Sequence, residues 1–199
     1  MLFFNLNSPL WEKKDIRQKL AKGEKIDNPI TATLATTDKE LNLTEADEIK
    51  EKWAPLGVTI DIRVYTTAEL QSTIISKRQY DLLIYGLDYS NDPDLYPFWH
   101  SSQATEKGLN LANFSNVDAD KLLEQARLTN NQEERAKKYA EFQKIFDDQV
   151  PAIILKQDIW QYAISNKVKG VITGFTAYAP ADQFFAVEKW YIKEKRVKK

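Results

Sequence analysis

The alternation of short elements between residues 29 and 87 constrains the fold more than any other feature of the sequence. Residues 29–36 (PITATLAT) alternate and are rich in threonine, which is typical of a β-strand. Residues 58–65 (VTIDIRVY) alternate apolar and polar side chains. Residues 80–87 (YDLLIYGL) are apolar on both faces, which favours a central strand. Because helical stretches separate these three strands, the order predicts a parallel, doubly wound sheet with right-handed crossovers.

The two intervening helices carry their own signals. The first has an apolar face spaced three or four residues apart, formed by Ala46, Ile49, Trp53 and Leu56. Thr44 is predicted to cap this helix, and Gly57 to stand beyond its end. Thr66 with Glu69 three residues later predicts a capping box that opens the second helix.

Two longer helices are predicted after residue 116. The first is lined by Ala119, Leu122, Leu123 and Ala126. Asn130 is predicted to cap the second, whose buried stripe comprises Ala136, Tyr139, Phe142, Ile145, Phe146 and Val150. A further strand is expected directly after Pro151, and no clear period follows Gly170. The apolar N-terminal stretch LFFNLNSPL and the aromatic C-terminal stretch are both expected to lack partners within the chain, which predicts a missing domain or partner.

Composition excludes several classes of function. The chain has 28 basic and 29 acidic residues and a net charge of −1, so it lacks the basic field that nucleic acid binding requires. It has no cysteine and one histidine, which argues against disulfides and transition-metal sites. Its six glycines form no phosphate-binding loop. We therefore expect no cofactor, no metal and no nucleic acid partner.

The end of the third predicted strand is the candidate binding site. Ligands of open parallel sheets bind beyond the carboxyl ends of the strands, where Asp88 and Tyr89 are expected to lie. A carboxylate flanked by Tyr85 and Tyr89 suits a cationic group such as an amine, and Gly86 permits a close approach. In the alternative interpretation, Asp88 only caps the following turn and the tyrosines cover the core.

Two other interpretations of this region are weaker. Asp88, Ser90, Asp92 and Asp94 have the spacing of a calcium loop, but Pro93 and Trp99 stand where that loop needs glycine and glutamate. His100 is followed by two serines, yet sequence neighbours do not make a catalytic triad, so a loop or interface histidine is favoured.

The sequence also resembles a known family, the substrate-binding proteins of bacterial peptide-import ABC transporters (family 5 extracellular solute-binding proteins of the oligopeptide, dipeptide and nickel type). The resemblance extends over residues 30–192 and matches the family in order and spacing. The stretches that carry it are YDLLIYGLDYSNDPDLYPFWHSSQ, ADEIKEKWAPLGVTIDIRV, ERAKKYAEFQKIFDDQVPAIILKQ and FAVEKWYI.

The resemblance implies a fold and a set of site residues. The fold is α/β, a parallel, mixed-edge sheet flanked by helices, as in one lobe of a periplasmic-binding-protein-like type II fold. Asp88 matches the aspartate that pairs with the α-ammonium group of a peptide in peptide-binding members. Tyr85, Gly86 and Leu87 match adjoining pocket residues, and Tyr89 and Asn110 are weaker candidates.

The resemblance further implies that this chain is a truncated C-terminal lobe that starts at an introduced Met1. Its expected domains are an N-terminal segment and linker (1–28), a ligand-binding lobe (29–170) and a tail that returns to a missing N-terminal lobe (171–199). The full protein is expected to be an extracytoplasmic binding component, not an enzyme, with a peptide ligand and ABC permease subunits as partners. The alternatives are an oligosaccharide or nickel chelate as ligand, or a different class of protein, a small α/β hydrolase.

Overall fold

The computed structural model describes residues 1–87, 94–156, 162–174 and 180–193. Residues 1–87 and 94–156 form one compact unit, and the described residues from 162 onward belong to a second. Within the described residues, no helix combines the length and the apolar character needed to cross a membrane.

The first unit is built on a five-stranded sheet of order β3-β2-β4-β1-β5. Its strands are β1 (Leu2–Phe4), β2 (Ile30–Thr37), β3 (Val58–Tyr65), β4 (Leu82–Ile84) and β5 (Ala152–Ile153). β2 pairs in parallel with β3 and β4, whereas β1 lies antiparallel between β4 and β5. The predicted α/β fold is therefore confirmed, and its antiparallel strand lies inside the sheet rather than at the edge.

The N-terminal apolar stretch supplies that inner strand. Leu2 pairs with Ile84 on one side and with Ile153 on the other, and all three residues of β1 are fully buried. The expectation that this stretch lacks a partner within the chain is wrong, because β1 pairs with β4 and β5. Both partner strands lie far along the sequence from β1. The predicted domain boundaries at residues 28 and 170 stay a prediction.

Helices cover both faces of the sheet. They are α1 (Lys14–Ala21), α2 (Glu40–Trp53), α3 (Thr67–Glu69), α4 (Tyr96–Trp99), α5 (Val117–Leu128) and α6 (Gln132–Gln149), with a π-helical segment (Leu70–Ile75) directly after α3 and 3-10 turns at Ala54–Leu56 and Ser101–Gln103. Leu82 and Ile84 of β4 belong to the core cluster formed with α1 and α2, whereas Leu83 belongs to the cluster formed with α5 and α6. β4 is thus buried on both faces, as its continuous apolar sequence predicts.

Helix ends follow local chemistry, with two corrections. The capping box of Thr66 and Glu69 is present as predicted. Thr44 does not cap α2, because it lies inside the helix and its Oγ1 donates to the carbonyl oxygen of Glu40 at 3.0 Å. The residue that caps α6 is Asn131, not Asn130, and its Oδ1 accepts hydrogen bonds from two backbone amides of the first turn.

The second unit contains a two-stranded antiparallel pair, β6 (Val168–Lys169) and β7 (Tyr191–Ile192). Two 3-10 turns, Pro180–Phe184 and Val187–Lys189, precede β7. Phe184 and Ile192 remain more than half exposed, at 57% and 60%. The aromatic C-terminal stretch therefore presents apolar surface among its described residues.

Candidate functional site

The four mutually parallel strands of the first unit end at one edge of the sheet, where the antiparallel β1 begins. Thr37 at the end of β2 is paired with Tyr65 at the end of β3. Ile84 at the end of β4 is paired with Leu2, which is paired in turn with Ile153 at the end of β5. We call this edge the strand-end rim and define it by Thr37, Tyr65, Tyr85, Gly86, Leu87 and Ile154. In sheets of this kind, ligands bind beyond the carboxyl ends of the parallel strands.

Three of the predicted site residues lie on this rim directly after β4. Tyr85 is half-buried, and its hydroxyl oxygen accepts a hydrogen bond from Gln71 Nε2 at 2.6 Å. Tyr85 and Leu87 both pack against the core cluster of α5 and α6. Gly86 is exposed, and a Cβ placed on it meets no atom within 4 Å. The rim thus has open space at Gly86 between two anchored apolar side chains.

The two polar candidates that follow, Asp88 and Tyr89, lie outside the described residues. Their assignment as ligand-binding residues stays a prediction. The described chain resumes at Asp94, whose Oδ2 pairs with Arg127 Nε of α5 at 3.0 Å. Asp94 Oδ1 also accepts a hydrogen bond from the backbone amide of Tyr96 at 3.1 Å, which fixes the start of α4.

Asn110, the remaining candidate, has all its amide hydrogens engaged within the protein. The residue is fully buried, and its Nδ2 donates to the carbonyl oxygens of His100 and Phe114 at 3.1 and 2.8 Å. Its Oδ1 accepts a hydrogen bond from the Phe114 amide at 3.0 Å. This geometry closes the loop between His100 and Phe114, and it leaves Asn110 no free donor for a ligand.

Arg78 and Tyr80, which precede β4 in the chain, also hold the loop between His100 and Phe114. The sequence did not indicate this role for either residue. Arg78 donates from Nη2 to the carbonyl oxygens of Thr105 and Gly108, each at 2.9 Å. Tyr80 is 5% exposed and donates from its hydroxyl to the carbonyl oxygen of Leu111 at 2.7 Å. Burial of this hydroxyl raises the pKa of Tyr80. The sequence feature that could have indicated this role is the placement of an arginine and a tyrosine just before a buried strand.

Asp81 shows why the position of a carboxylate along a strand matters. It immediately precedes β4, at the edge opposite the strand-end rim. Its Oδ2 accepts hydrogen bonds from the amide and hydroxyl of Thr33 at 2.9 and 2.8 Å, and its Oδ1 accepts one from the Ser8 hydroxyl at 2.7 Å. Asp81 therefore ties β4 to β2 and to the segment after β1, and is a structural residue.

Two polar residues, Thr37 at the end of β2 and Asp38 directly after it, lie at the same edge of the sheet. Thr37 is 3% exposed, and its Oγ1 accepts a hydrogen bond from Asn42 Nδ2 at 2.7 Å. Asp38, the next residue, is exposed, and its amide donates to the carbonyl oxygen of Tyr65 at 3.2 Å. The carboxylate of Asp38 thus stands at the same edge as Gly86, one strand away. In the sequence, Asp38 stands two residues after the strand predicted at 29–36.

His100, the only histidine, is 7% exposed and packs inside the first unit. Its ring stacks on Tyr96 with the centroids 4.1 Å apart. Its Nδ1 accepts a hydrogen bond from the Ser102 amide at 3.1 Å, while its Nε2 lies 3.4 Å from Glu124 Oε1. This arrangement supports the interpretation of His100 as a loop histidine.

Comparison with known proteins identifies relatives. The chain is 27% identical over 146 residues to the oligopeptide-binding protein AppA of Bacillus subtilis. This alignment covers 72% of this chain and 26% of that protein. Its fold matches the ABC transporter-associated periplasmic binding protein DppA of Helicobacter pylori in complex with the peptide STSA, with a TM-score of 0.71 and 18% identity over 97% of this chain and 46% of that one. It also matches NikZ of Campylobacter jejuni in complex with Ni(L-His), with a TM-score of 0.70 and 17% identity over 95% of this chain and 50% of that one.

No protein-family model matches the chain. The chain spans about a quarter of the curated relative and half or less of the two solved chains. The likeness in sequence and in fold nevertheless confirms the resemblance drawn from the sequence stretches. The chain is thus similar in sequence to an oligopeptide-binding protein, and it shares the fold of periplasmic binding proteins of that kind.

Proposed function

We propose that this chain is one lobe of the substrate-binding component of an ABC importer. The complete protein would capture a peptide between two lobes outside the cytoplasm and deliver it to the permease in the membrane. We propose reversible binding as its chemistry, and the names of its relatives support this. The observation that supports this proposal most directly is the strand-end rim, where Gly86 opens the sheet edge between Tyr85 and Leu87.

The rim suits the main chain and the free amine of a peptide. Gly86 lets a ligand backbone approach, because no side chain projects there and no atom lies within 4 Å of a Cβ position. Asp88, two residues further along, is proposed to receive the α-ammonium group. A charge-assisted hydrogen bond of this type is about twice as strong as a neutral one. The ring of Tyr85 adds apolar contact beside it.

A nickel chelate is the second candidate ligand, and the fold shared with NikZ favours it. An oligosaccharide is a further alternative, because rim tyrosines can stack on sugar rings. These three ligand classes differ in charge, and only a peptide with a free amine brings an ammonium group to Asp88. A peptide whose amine is acetylated is therefore the most informative control ligand.

The experiment is a titration of the ¹⁵N-labelled chain with a short peptide, followed by NMR. Because a lone lobe leaves much of the ligand in water, we expect a Kd weaker than about 1 µM. Amide shifts should concentrate at residues 85–89, and both Asp88→Asn and N-acetylation of the peptide should weaken binding. Their effects should not add, because each removes one partner of the same pair.

Asp38→Asn is the matched control variant, since it removes an exposed carboxylate from the same edge of the sheet. We expect it to leave the peptide affinity unchanged. Shifts at the opposite edge, around Asp81, would contradict the proposed site. Tighter binding of a nickel–histidine complex or of an oligosaccharide than of any peptide would assign the alternative ligand class.

A further inference from the structure

Within the described part of the chain, the outer edge of β3 has unpaired backbone groups, and these play no part in the proposed function. β3 stands last in the five-stranded sheet, and among the described residues no strand pairs with its outer side. It runs for eight residues, Val58–Tyr65. An edge strand of this length offers a row of backbone donors and acceptors to another strand.

The hydrogen bonds to β2 show which backbone groups face outward. The Gly57 carbonyl oxygen accepts from the Ile30 amide at 2.9 Å, and the Tyr65 carbonyl oxygen accepts from the Asp38 amide at 3.2 Å. Odd-numbered residues of this strand therefore direct their backbone groups to β2. Because the direction alternates along a strand, Ile60, Ile62 and Val64 present both N–H and C=O to the free edge.

The side chains along this edge are polar on one face and apolar on the other. Asp61 and Arg63 form an ion pair at 2.7 Å, with side chains 51% and 58% exposed. Val64, which the alternating pattern assigned to the apolar face of the strand, is 48% exposed. The far half of β3 thus offers a free backbone, an apolar side chain and two opposite charges two residues apart.

We propose that the edge of β3 is a self-association surface that pairs antiparallel with β3 of a second copy of this chain, about a two-fold axis at Ile62. In this register, Ile62 faces Ile62 of the second copy as a hydrogen-bonded pair, since its backbone groups point outward. Asp61 then faces Arg63 of the second copy, and Arg63 faces Asp61 of the second copy. Val64 lies opposite Ile60 on the apolar face.

The charges select this register. Moving the axis to position 61 places two aspartates directly opposite each other, and moving it to position 63 does the same for two arginines. Like charges directly opposite destabilise an antiparallel pair, whereas opposite charges stabilise it. The same two charges deter strands of other sequence, so the edge is complementary to itself in one register. The contact is isologous, as in most homodimers.

Sedimentation velocity of the chain from about 1 µM to about 1 mM tests the proposal, because a single pair of strand edges gives a small interface and a weak dimer. We expect a concentration-dependent dimer that Asp61→Arg or Arg63→Asp alone weakens about tenfold or more. An equimolar mixture of the two variants should recover the dimer, because each then supplies the charge that the other lacks. The double variant with both changes should recover it as well.

Glu48→Lys is the matched control, since it changes the net charge as Asp61→Arg does and disrupts another exposed ion pair, with Lys52 on α2. It should leave the dimer unchanged. Val64→Pro gives an independent test, because it removes an outward-facing N–H without touching the bonds to β2, and it should abolish association while Val64→Thr preserves it. A chain that stays monomeric over the whole range overturns the proposal, as does a dimer that the single reversals leave intact or that the mixture fails to recover.

Discussion

Asn113 Nδ2 donates a hydrogen bond to Asn5 Oδ1 at 2.8 Å, which joins the residue after β1 to a loop 108 positions along the chain. Both side chains are buried, at 7% and 5% exposure. Asn5 Nδ2 donates in turn to the carbonyl oxygens of Arg78 and Tyr80 at 3.1 and 2.8 Å. This pair therefore connects the inner strand, the approach to β4 and the loop that Asn110 closes.

Asn113 should be costly to replace for two separable reasons. Its φ is 53°, where most side chains are strained, and its amide satisfies a buried acceptor. We expect Asn113→Ala to lower the free energy of unfolding by about 2 kcal/mol. Asn113→Gly should recover part of that loss, because glycine tolerates positive φ. Urea denaturation measures the free energy of unfolding of both variants. If Asn113→Ala is as stable as the parent, this prediction is wrong.

Gly108 and Gly86 should respond oppositely to the same substitution. A Cβ on Gly108 would lie 2.0 Å from the carbonyl oxygen of Gln103, a backbone atom that cannot move aside cheaply. Gly108→Ala should therefore lower the free energy of unfolding by about 1–3 kcal/mol or more. Gly86→Ala meets no atom within 4 Å, so its stability should change by less than about 1 kcal/mol. Thermal unfolding of both variants measures the difference. Equal losses of stability in Gly108→Ala and Gly86→Ala would contradict this prediction.

The sequence predicted the elements whose pattern is local. β2, β3 and α2 each carry their period within a few residues, and Leu83 between Leu82 and Ile84 signals burial on both faces. β1 is three residues long, too short for a period, and becomes a strand only because Ile84 and Ile153 flank it. Non-local pairing of this kind leaves no trace in a short window of sequence.

The candidate site was predictable in part for the same reason. Asp81 precedes β4 in the sequence and Asp88 follows it. Only the topology of the sheet decides that Asp81 lies at the end where Thr33 and Ser8 donate hydrogen bonds to it. The position of Tyr85 to Leu87 on the rim followed from the strand order. The hydrogen bonds of Asn110 could not be predicted in this way, because they depend on how the loop brings Phe114 back to Asn110.

Tyr80 should make the protein less stable at alkaline pH. Burial raises its pKa in the folded state, whereas an unfolded tyrosine ionises near pH of about 10. Its contribution is therefore fully present below about pH 10 and is lost as the pH rises further, because only the unfolded chain then releases the proton. Tyr80→Phe lacks the hydroxyl that donates to the Leu111 carbonyl oxygen, so its free energy of unfolding should be about 1 kcal/mol lower at pH 7. The variant also has no group at this position that can ionise.

That difference between the parent and Tyr80→Phe should narrow between about pH 9 and pH 11, since the other tyrosines titrate alike in both proteins. Urea denaturation at a series of pH values gives the comparison. A difference that stays constant over this range would show that the Tyr80 hydroxyl titrates equally in both states.

Arg17 should be the most sensitive charged residue of the first unit to replacement by an apolar side chain. It is 3% exposed, and its guanidinium donates to the carbonyl oxygen of Gln149 from Nη2 at 2.6 Å and to that of Val150 from Nε at 3.1 Å. It also donates to the carbonyl oxygen of Trp11. Burial lowers its pKa. These bonds satisfy carbonyls at the end of α6, where Val150 adopts a φ of 46°.

Arg17→Met retains the length of the side chain but removes every donor, so several buried carbonyls lose their partner. We expect the free energy of unfolding to fall by about 1.5–3 kcal/mol, the range for hydrogen bonds to a charged group. Arg17→Lys should lose less but should not match the parent, because an ammonium group cannot span carbonyls on two sides as a planar fork does. If urea denaturation found Arg17→Met as stable as the parent, the end of α6 would be held by its apolar contacts alone.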